Sequence, residues 1–145
     1  MMKSFFILLL LLSTTILNAQ IDYYKAKLYK DDINSKVAYE MQQNGVLVID
    51  VRTKKEFATS RAKNSINIPL MFEKEGKRIF NQEFVKNIYD AINGKMNTEI
   101  ILICRSGSRT KLASNILASE GFTNVYNIQK GFSFDWIKEN LPIEK

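Results

Sequence analysis

Ile100-Ile101-Leu102-Ile103-Cys104-Arg105-Ser106-Gly107-Ser108-Arg109-Thr110 is the stretch that decides how this chain folds. Four consecutive apolar residues bounded by a polar loop read as a strand buried on both faces, the kind found at the centre of a parallel sheet. A helical pattern starts directly after the loop: Leu112, Ala113, Ile116 and Leu117 share one face, and Gly121 stands where a C-terminal cap is expected. Open α/β sheets place their ligand sites between a strand's C-terminal end and a helix's N-terminus. Cys104, the only cysteine of the chain, lies at such a junction.

That position has chemical consequences. Unpaired backbone N–H groups and the positive end of a helix dipole converge there and stabilise an anion, so the thiolate is favoured. Arg105 and Arg109 add fixed positive charge, and Gly107 supplies the backbone freedom of a tight loop. The alternative is a buried structural cysteine. A core cysteine, however, needs neither the glycine nor the arginine pair.

A second apolar run, Val46-Leu47-Val48-Ile49, predicts a second central strand, which delivers Asp50-Val51-Arg52 to the same kind of strand end. Around these two strands the pattern alternates. Ala26 to Tyr29 is a candidate edge strand. Ile33, Val37, Ala38 and Met41 share a helical face, with Asp31 or Asp32 as cap and Asn44-Gly45 as stop. Met71 to Phe80 carries Glu73, Lys74, Glu75, Lys77 and Arg78 around Gly76 and reads as a surface loop. Asn81 caps a helix whose stripe is Phe84, Val85, Ile88 and Ile92, closed by Asn93-Gly94, and Asn124 to Asn127 adds a short strand. Strands alternating with helices imply an α/β fold: an open parallel sheet covered on both faces.

The loop resembles that of the rhodanese family of sulfurtransferases, in which a cysteine, four intervening residues and often an arginine wrap around a sulfur. Cys104 to Arg109 has that spacing. Cysteine-dependent phosphatases use five intervening residues and so a wider cradle. Further resemblance lies in Asp50-Val51-Arg52, Glu56-Phe57 and Asn67-Ile68-Pro69, and in the closing Gly131-Phe132, Trp136 and Leu141-Pro142. Two departures stand out. Where the family commonly has Gly-His-Ile-Pro-Gly, this chain reads Ser60-Arg61-Ala62-Lys63-Asn64, and Lys130 replaces one glycine of the closing turn. The resemblance runs from Val37 to Ile143 and implies a five-stranded parallel sheet flanked by helices on both faces. Phe132, Phe134 and Trp136 are expected to pack the flank of that sheet, with one of them a possible pocket wall.

The resulting expectation is a thiosulfate sulfurtransferase-like enzyme that passes sulfur through a Cys104 persulfide. Cys104 and Arg109 are its catalytic residues. Arg105, Ser106, Gly107, Ser108 and Thr110 cradle the substrate, and Asp50 and Arg52 support the site. Arg52 and Glu56 brace loops through charge-assisted hydrogen bonds, and Asp50 orients the active loop. The chemistry needs no metal or organic cofactor. Its partners are a small anionic sulfur donor and a thiophilic acceptor, either a small molecule or a thiol protein. A non-catalytic rhodanese-like binding or regulatory module is the alternative. A redox thiol protein is a third reading, weakened by the want of a second cysteine.

The 145 residues suit one domain. Met1-Met2-Lys3-Ser4 leads into an apolar run from Phe5 to Leu12, diluted by Ser13-Thr14-Thr15 before Ala19. A membrane-spanning helix needs about 20 predominantly apolar residues. Residues 1–19 therefore read as a secretory signal peptide, with an uncleaved anchor as the alternative, followed by a lead-in over 20–30 and a rhodanese-like domain over 31–145. The expected location is the bacterial periplasm, with no membrane association once the signal is removed. A lone thiol in an oxidising compartment cannot form an internal bridge, which favours a reactive role. The chain has no histidine, which excludes Ser-His and Cys-His dyads and histidine-based zinc sites. Its net charge of +6 comes from lysines and arginines scattered along the chain, a solvated surface rather than a nucleic-acid footprint.

Overall fold

The computed structural model describes residues 20–145, so the expected signal segment lies outside the described residues. Within it the chain forms β1 (Asp31–Ile33), α1 (Ser35–Gln43), β2 (Leu47–Asp50), α2 (Lys54–Thr59), β3 (Arg61–Ala62), β4 (Ile66–Asn67), β5 (Met71–Lys74) and β6 (Lys77–Phe80). It continues through α3 (Phe84–Ala91), β7 (Ile100–Ile103), α4 (Ser108–Ser119), β8 (Val125–Ile128), a π-helical turn (Phe132–Trp136) and β9 (Ile143–Glu144).

Five strands make one parallel sheet in the order β1-β8-β7-β2-β4. β7 is central, and all four of its residues are buried, as a strand covered on both faces requires. Its side chains alternate between two cores. Ile100 and Leu102 join Ile49 and Val51 against Phe84 and Ile88 of α3 and Leu112, Ala113 and Leu117 of α4. Ile101 and Ile103 join Val48 against Ala38 of α1 and Phe132 and Trp136 of the π-helical turn. Each buried Val, Leu, Ile or Phe side chain contributes about 1.5–3 kcal/mol by leaving water. Trp136 is fully buried, meets the Tyr39 ring edge-on at 6.0 Å, and donates its indole N–H to the Pro142 carbonyl at 3.0 Å. The sheet is therefore flanked by helices on both faces.

The edges depart from expectation. The edge strand is Asp31–Ile33, not Ala26–Tyr29, because Asp31, Asp32 and Ile33 pair in register with Tyr126, Asn127 and Ile128. Asp32 is held there by the Tyr29 hydroxyl at 2.7 Å and the Asn127 amide at 2.8 Å. Neither aspartate caps α1. Asn34 does, its Oδ1 accepting the Val37 N–H at 3.0 Å, which leaves Ile33 on the strand and Val37 exposed.

The charged stretch from Met71 to Phe80 is a hairpin rather than an irregular loop. Glu75 and Gly76, both at positive φ, turn β5 into β6. The lead-in is tied down by Asn115 of α4. Its amide donates to the Tyr23 and Ala26 carbonyls at 2.8 and 2.9 Å, and its Oδ1 accepts the Leu28 N–H at 2.7 Å. Among the described residues no helix is long and apolar enough to cross a membrane.

Candidate active site

β7 and α4 meet at the loop Cys104–Gly107, and Cys104 is wholly buried at the edge of the core that Leu102 and Leu112 share. Gly107 takes the left-handed conformation (φ +93°) immediately before α4 and turns its N–H onto the sulfur, with N to Sγ at 3.1 Å. Thr110 Oγ1 lies 3.4 Å from Sγ and donates to the Gly107 carbonyl at 3.0 Å. This hydroxyl has one hydrogen and two acceptors within reach. It accepts from a thiol while bonded to Gly107, and by rotating it donates to a thiolate. One backbone N–H and one hydroxyl thus serve the sulfur, fewer backbone groups than the expected convergence of loop amides.

The outside of the loop is pinned by the turn after β8. Phe132 and Ser133 donate their N–H groups to the Cys104 and Arg105 carbonyls at 2.7 and 3.0 Å. With those carbonyls held outward, the loop is fixed beside its buried sulfur. The contact is possible only because two glycines meet it. A Cβ on Gly131 would stand 2.5 Å from the Cys104 carbonyl oxygen, and one on Gly107 would overlap the Gln129 carbonyl.

Arg109 does not stand free beside the sulfur. It forms a bidentate pair with Glu56 of α2, at 2.7 and 2.8 Å. Glu56 is itself fixed by a capping box with Thr53. The Arg109 guanidinium, with the Thr53 N–H assisting, holds the Glu56 carboxyl down at about 2, and Glu56 in turn raises Arg109. The expectation that Glu56 braces a loop is met, and its partner is the arginine expected to meet substrate.

Arg52 and Asp50 form the second pair, with Nη2 to Oδ2 at 2.7 Å and both groups buried. Arg52 also donates to the Ser60 carbonyl at 2.7 Å, and its guanidinium lies 4.4 Å from the centre of the Phe132 ring. Burial raises the Asp50 carboxyl, opposed by the arginine beside it. Asp50 makes no hydrogen bond to the active loop; it fixes Arg52, which stacks on Phe132, whose N–H holds the Cys104 carbonyl. Asn67, not foreseen from sequence, donates to the Asp50 and Arg52 carbonyls at 2.9 Å each and locks that strand end.

Arg105 remains. It is exposed, makes no ion pair among the described residues, and carries its guanidinium 5.7 Å from the centre of the exposed Phe134 ring, within cation–π range. Ser106 and Ser108 are exposed on the loop's rim. Beside the loop opens a shallow mouth of about 340 Å³, lined by Arg52, Glu56, Thr59, Ser60, Arg105, Phe132 and Ser133. Phe132 is thus the aromatic that walls the site while packing the sheet, and Phe134, expected in the core, lies outside under Arg105. Among the described residues no group of three or more metal-ligating side chains forms.

Residues 34–138 match the family model for the rhodanese-like domain. The chain belongs to this family. It is 34% identical over 110 residues to the senescence-associated protein DIN1 of Raphanus sativus, covering 76% of this chain but only 58% of that longer protein. With thiosulfate sulfurtransferase 18 of Arabidopsis thaliana it shares 32% identity over 108 residues, 73% of this chain and 77% of the relative. Among solved structures, Rv0390 from M. tuberculosis superposes with a TM-score of 0.62 at 22% identity, covering 80% of this chain and 98% of that one. That likeness shows the rhodanese-like fold. Relative to the family pattern, the Ser60–Asn64 departure falls on the end of α2 and on β3. There Ser60 offers its carbonyl to Arg52, and Arg61 and Ala62 pair with Glu144 and Ile143 of β9.

Proposed function

We propose that this chain is an exported sulfurtransferase that moves a sulfane sulfur from a small anionic donor such as thiosulfate to a nucleophilic acceptor. The observation that carries the reading is the pair of polar groups that the loop and the first turn of α4 turn onto Cys104 Sγ, the Gly107 N–H at 3.1 Å and the Thr110 hydroxyl at 3.4 Å. The Cys104 thiolate attacks the outer sulfur of thiosulfate. A new S–S bond forms, the donor's S–S bond breaks, and sulfite leaves with the electron pair. The persulfide then gives its outer sulfur to the acceptor, and the pair of the broken bond returns to Sγ. The loop N–H and the Thr110 hydroxyl stabilise sulfur anions in both steps.

The arginines divide the work. Arg105 stands exposed at the mouth, with no ion pair among the described residues, and draws in the anionic donor, with Ser106 and Ser108 on the same rim. Arg109 acts through Glu56 as a positioning residue that fixes α4 and its loop against α2. The relationship to a protein named thiosulfate sulfurtransferase supports the donor class. We further assign residues 1–19 to a signal peptide, residues 31–145 to the catalytic domain and the mature chain to the bacterial periplasm. An intact mass beginning near Gln20 supports this, and full-length protein found only in membranes contradicts it.

The loop of four residues between Cys104 and Arg109 gives the discriminating experiment. The purified domain should consume thiosulfate in the presence of cyanide faster than it hydrolyses an aryl phosphate. Faster phosphate hydrolysis would overturn the reading.

A further inference from the structure

Arg52 follows β2 and is expected to brace loops, yet not all of its donors are spent there. An arginine carries five N–H donors in a planar fork. The Nε group donates to both Asp50 oxygens at 3.0 Å, and Nη2 donates to Asp50 Oδ2 and to the Ser60 carbonyl at 2.7 Å each. Those bonds use the donors of Nε and Nη2. The two N–H groups of Nη1 have no partner among the described residues, on a side chain only 6% exposed. Donors on so deeply buried a group are ordinarily satisfied, and leaving them without a partner costs free energy.

Among the described residues, the wholly buried side-chain atoms left without a partner are Ser35 Oγ, Ser114 Oγ and Asn127 Oδ1. Nη1 is not one of them, so it keeps access to solvent, and Arg52 lines the mouth beside Cys104. Asp50 and Ser60 fix the rest of the fork, and the guanidinium carbon lies 4.4 Å from the centre of the Phe132 ring. The free corner is thus held still, with little to reorganise when an acceptor arrives. The charge around it suits an anion. The lining carries Arg52, Arg105 and Glu56, two cations and one carboxylate. Glu56 is taken up by other partners: Oε1 accepts from Arg109, and Oε2 from Arg109 and Thr53. Counted with their partners, Arg52 cancels Asp50 and Glu56 cancels Arg109, which leaves Arg105 in excess. Either count leaves one positive charge.

We infer that Arg52 is a substrate-binding residue: its Nη1 group, together with Arg105, holds the sulfonate end of the donor beside Phe132 while the outer sulfur meets Cys104. This rests on the sulfurtransferase reading and adds a residue to that same site. As Sγ bonds to the outer sulfur and the donor's S–S bond breaks, the electron pair goes to the departing sulfite. The Nη1 N–H groups bond the oxygens on which that charge collects. Asp50 already balances the charge of Arg52, so Arg52 contributes directed hydrogen bonds and the net attraction comes from Arg105. A donor whose leaving group has no oxygens gains nothing from Nη1.

Arg52→Lys keeps a cation against Asp50 and removes the fork. In the mature chain, quenched-flow mass spectrometry reads the rate constant for loading Cys104 from thiosulfate and from inorganic polysulfide, whose leaving group has no oxygens. The ratio of the two, thiosulfate over polysulfide, should fall about tenfold in the variant. A loss of packing alone slows both donors alike, so an unchanged ratio, whatever the absolute rates, overturns the inference and returns Arg52 to bracing. A second measurement does not depend on how well that variant folds. In isotope-labelled Cys104→Ser protein, which cannot be loaded, titration with thiosulfate should shift the guanidinium N–H resonances of Arg52 and Arg105 together, with one dissociation constant. Movement of Arg105 alone means that water keeps the Nη1 corner, and it overturns the inference with the enzyme reading intact. Shifts at both arginines with no sulfur gained by the wild type would support the anion site and contradict the enzyme reading.

Discussion

Glu56 and Arg109, 53 residues apart in the chain, face each other in a two-bond ion pair of 2.7 and 2.8 Å that joins α2 to the first turn of α4. The pair fixes the helix from which the active loop hangs. It also neutralises the arginine that loop spacing alone assigns to substrate.

The pair gives the protein an acid-sensitive contribution to stability. Glu56 titrates at about 2 in the folded chain, below its ordinary 4.5. A depressed carboxylate stabilises above its unfolded value, and this contribution is lost as pH falls from about 4.5 towards 2. The shift corresponds to about 3 kcal/mol as an upper bound. Partial exposure of the pair reduces this to about 1–2 kcal/mol. Urea unfolding at pH 6, 4 and 3 should show that loss, and Glu56→Gln should flatten it. Asp50, raised by burial, works in the opposite sense and is common to both proteins, so the difference between them isolates Glu56.

Arg105 and Arg109 should separate in kinetics. Arg105→Ala removes the exposed cation at the mouth and should raise KM for thiosulfate about tenfold with little effect on unfolding. Arg105→Lys should restore part of it. Arg109→Ala uncovers the Glu56 carboxylate beside the mouth, so it should both weaken the donor and destabilise the fold by about 1–3 kcal/mol. Steady-state kinetics and denaturation of the three variants check this. Equal stability loss for Arg105→Ala and Arg109→Ala would contradict the division.

Gly131→Ala should be more damaging than its size suggests. The added methyl group stands 2.5 Å from the Cys104 carbonyl and 2.7 Å from that of Arg105, on a backbone at φ +66°. The turn must move off the loop or the loop must move inward. We expect a loss of about 1–3 kcal/mol or more together with a fall in the rate of sulfur loading. Gly45→Ala is the control, because its positive φ is shared but nothing lies within 4 Å of the added carbon.

The sequence made the centre of the molecule readable and left its edges obscure, for physical reasons. Val46–Ile49 and Ile100–Ile103 are long apolar runs, and such runs have few homes outside a two-sided sheet. Asp31–Ile33 carries no such signal. It is a strand only because β8 offers a register and Tyr29 and Asn127 hold Asp32. The same two aspartates resemble a helix cap, which drew the start of α1 too early. The hairpin alternates properly, but Glu73, Lys74, Lys77 and Arg78 hide the pattern under charge. In the site, Cys104, Gly107 and Thr110 are legible because the loop is local. The true partner of Arg109 is not, since spacing within a loop says nothing about a carboxylate brought in from a distant helix.

The central claim is that Cys104 carries the transferred sulfur, and mass spectrometry of the intact chain reads this directly. Wild-type protein incubated with thiosulfate should gain one sulfur atom, localised to Cys104 by peptide mapping, and should lose it to cyanide as thiocyanate. Cys104→Ser should do neither, because a serine hydroxyl is scarcely ionised near neutral pH and cannot hold a transferable sulfur. A folded wild-type protein that gains no sulfur from thiosulfate or other sulfane donors would contradict the account and leave a rhodanese-like binding module in its place.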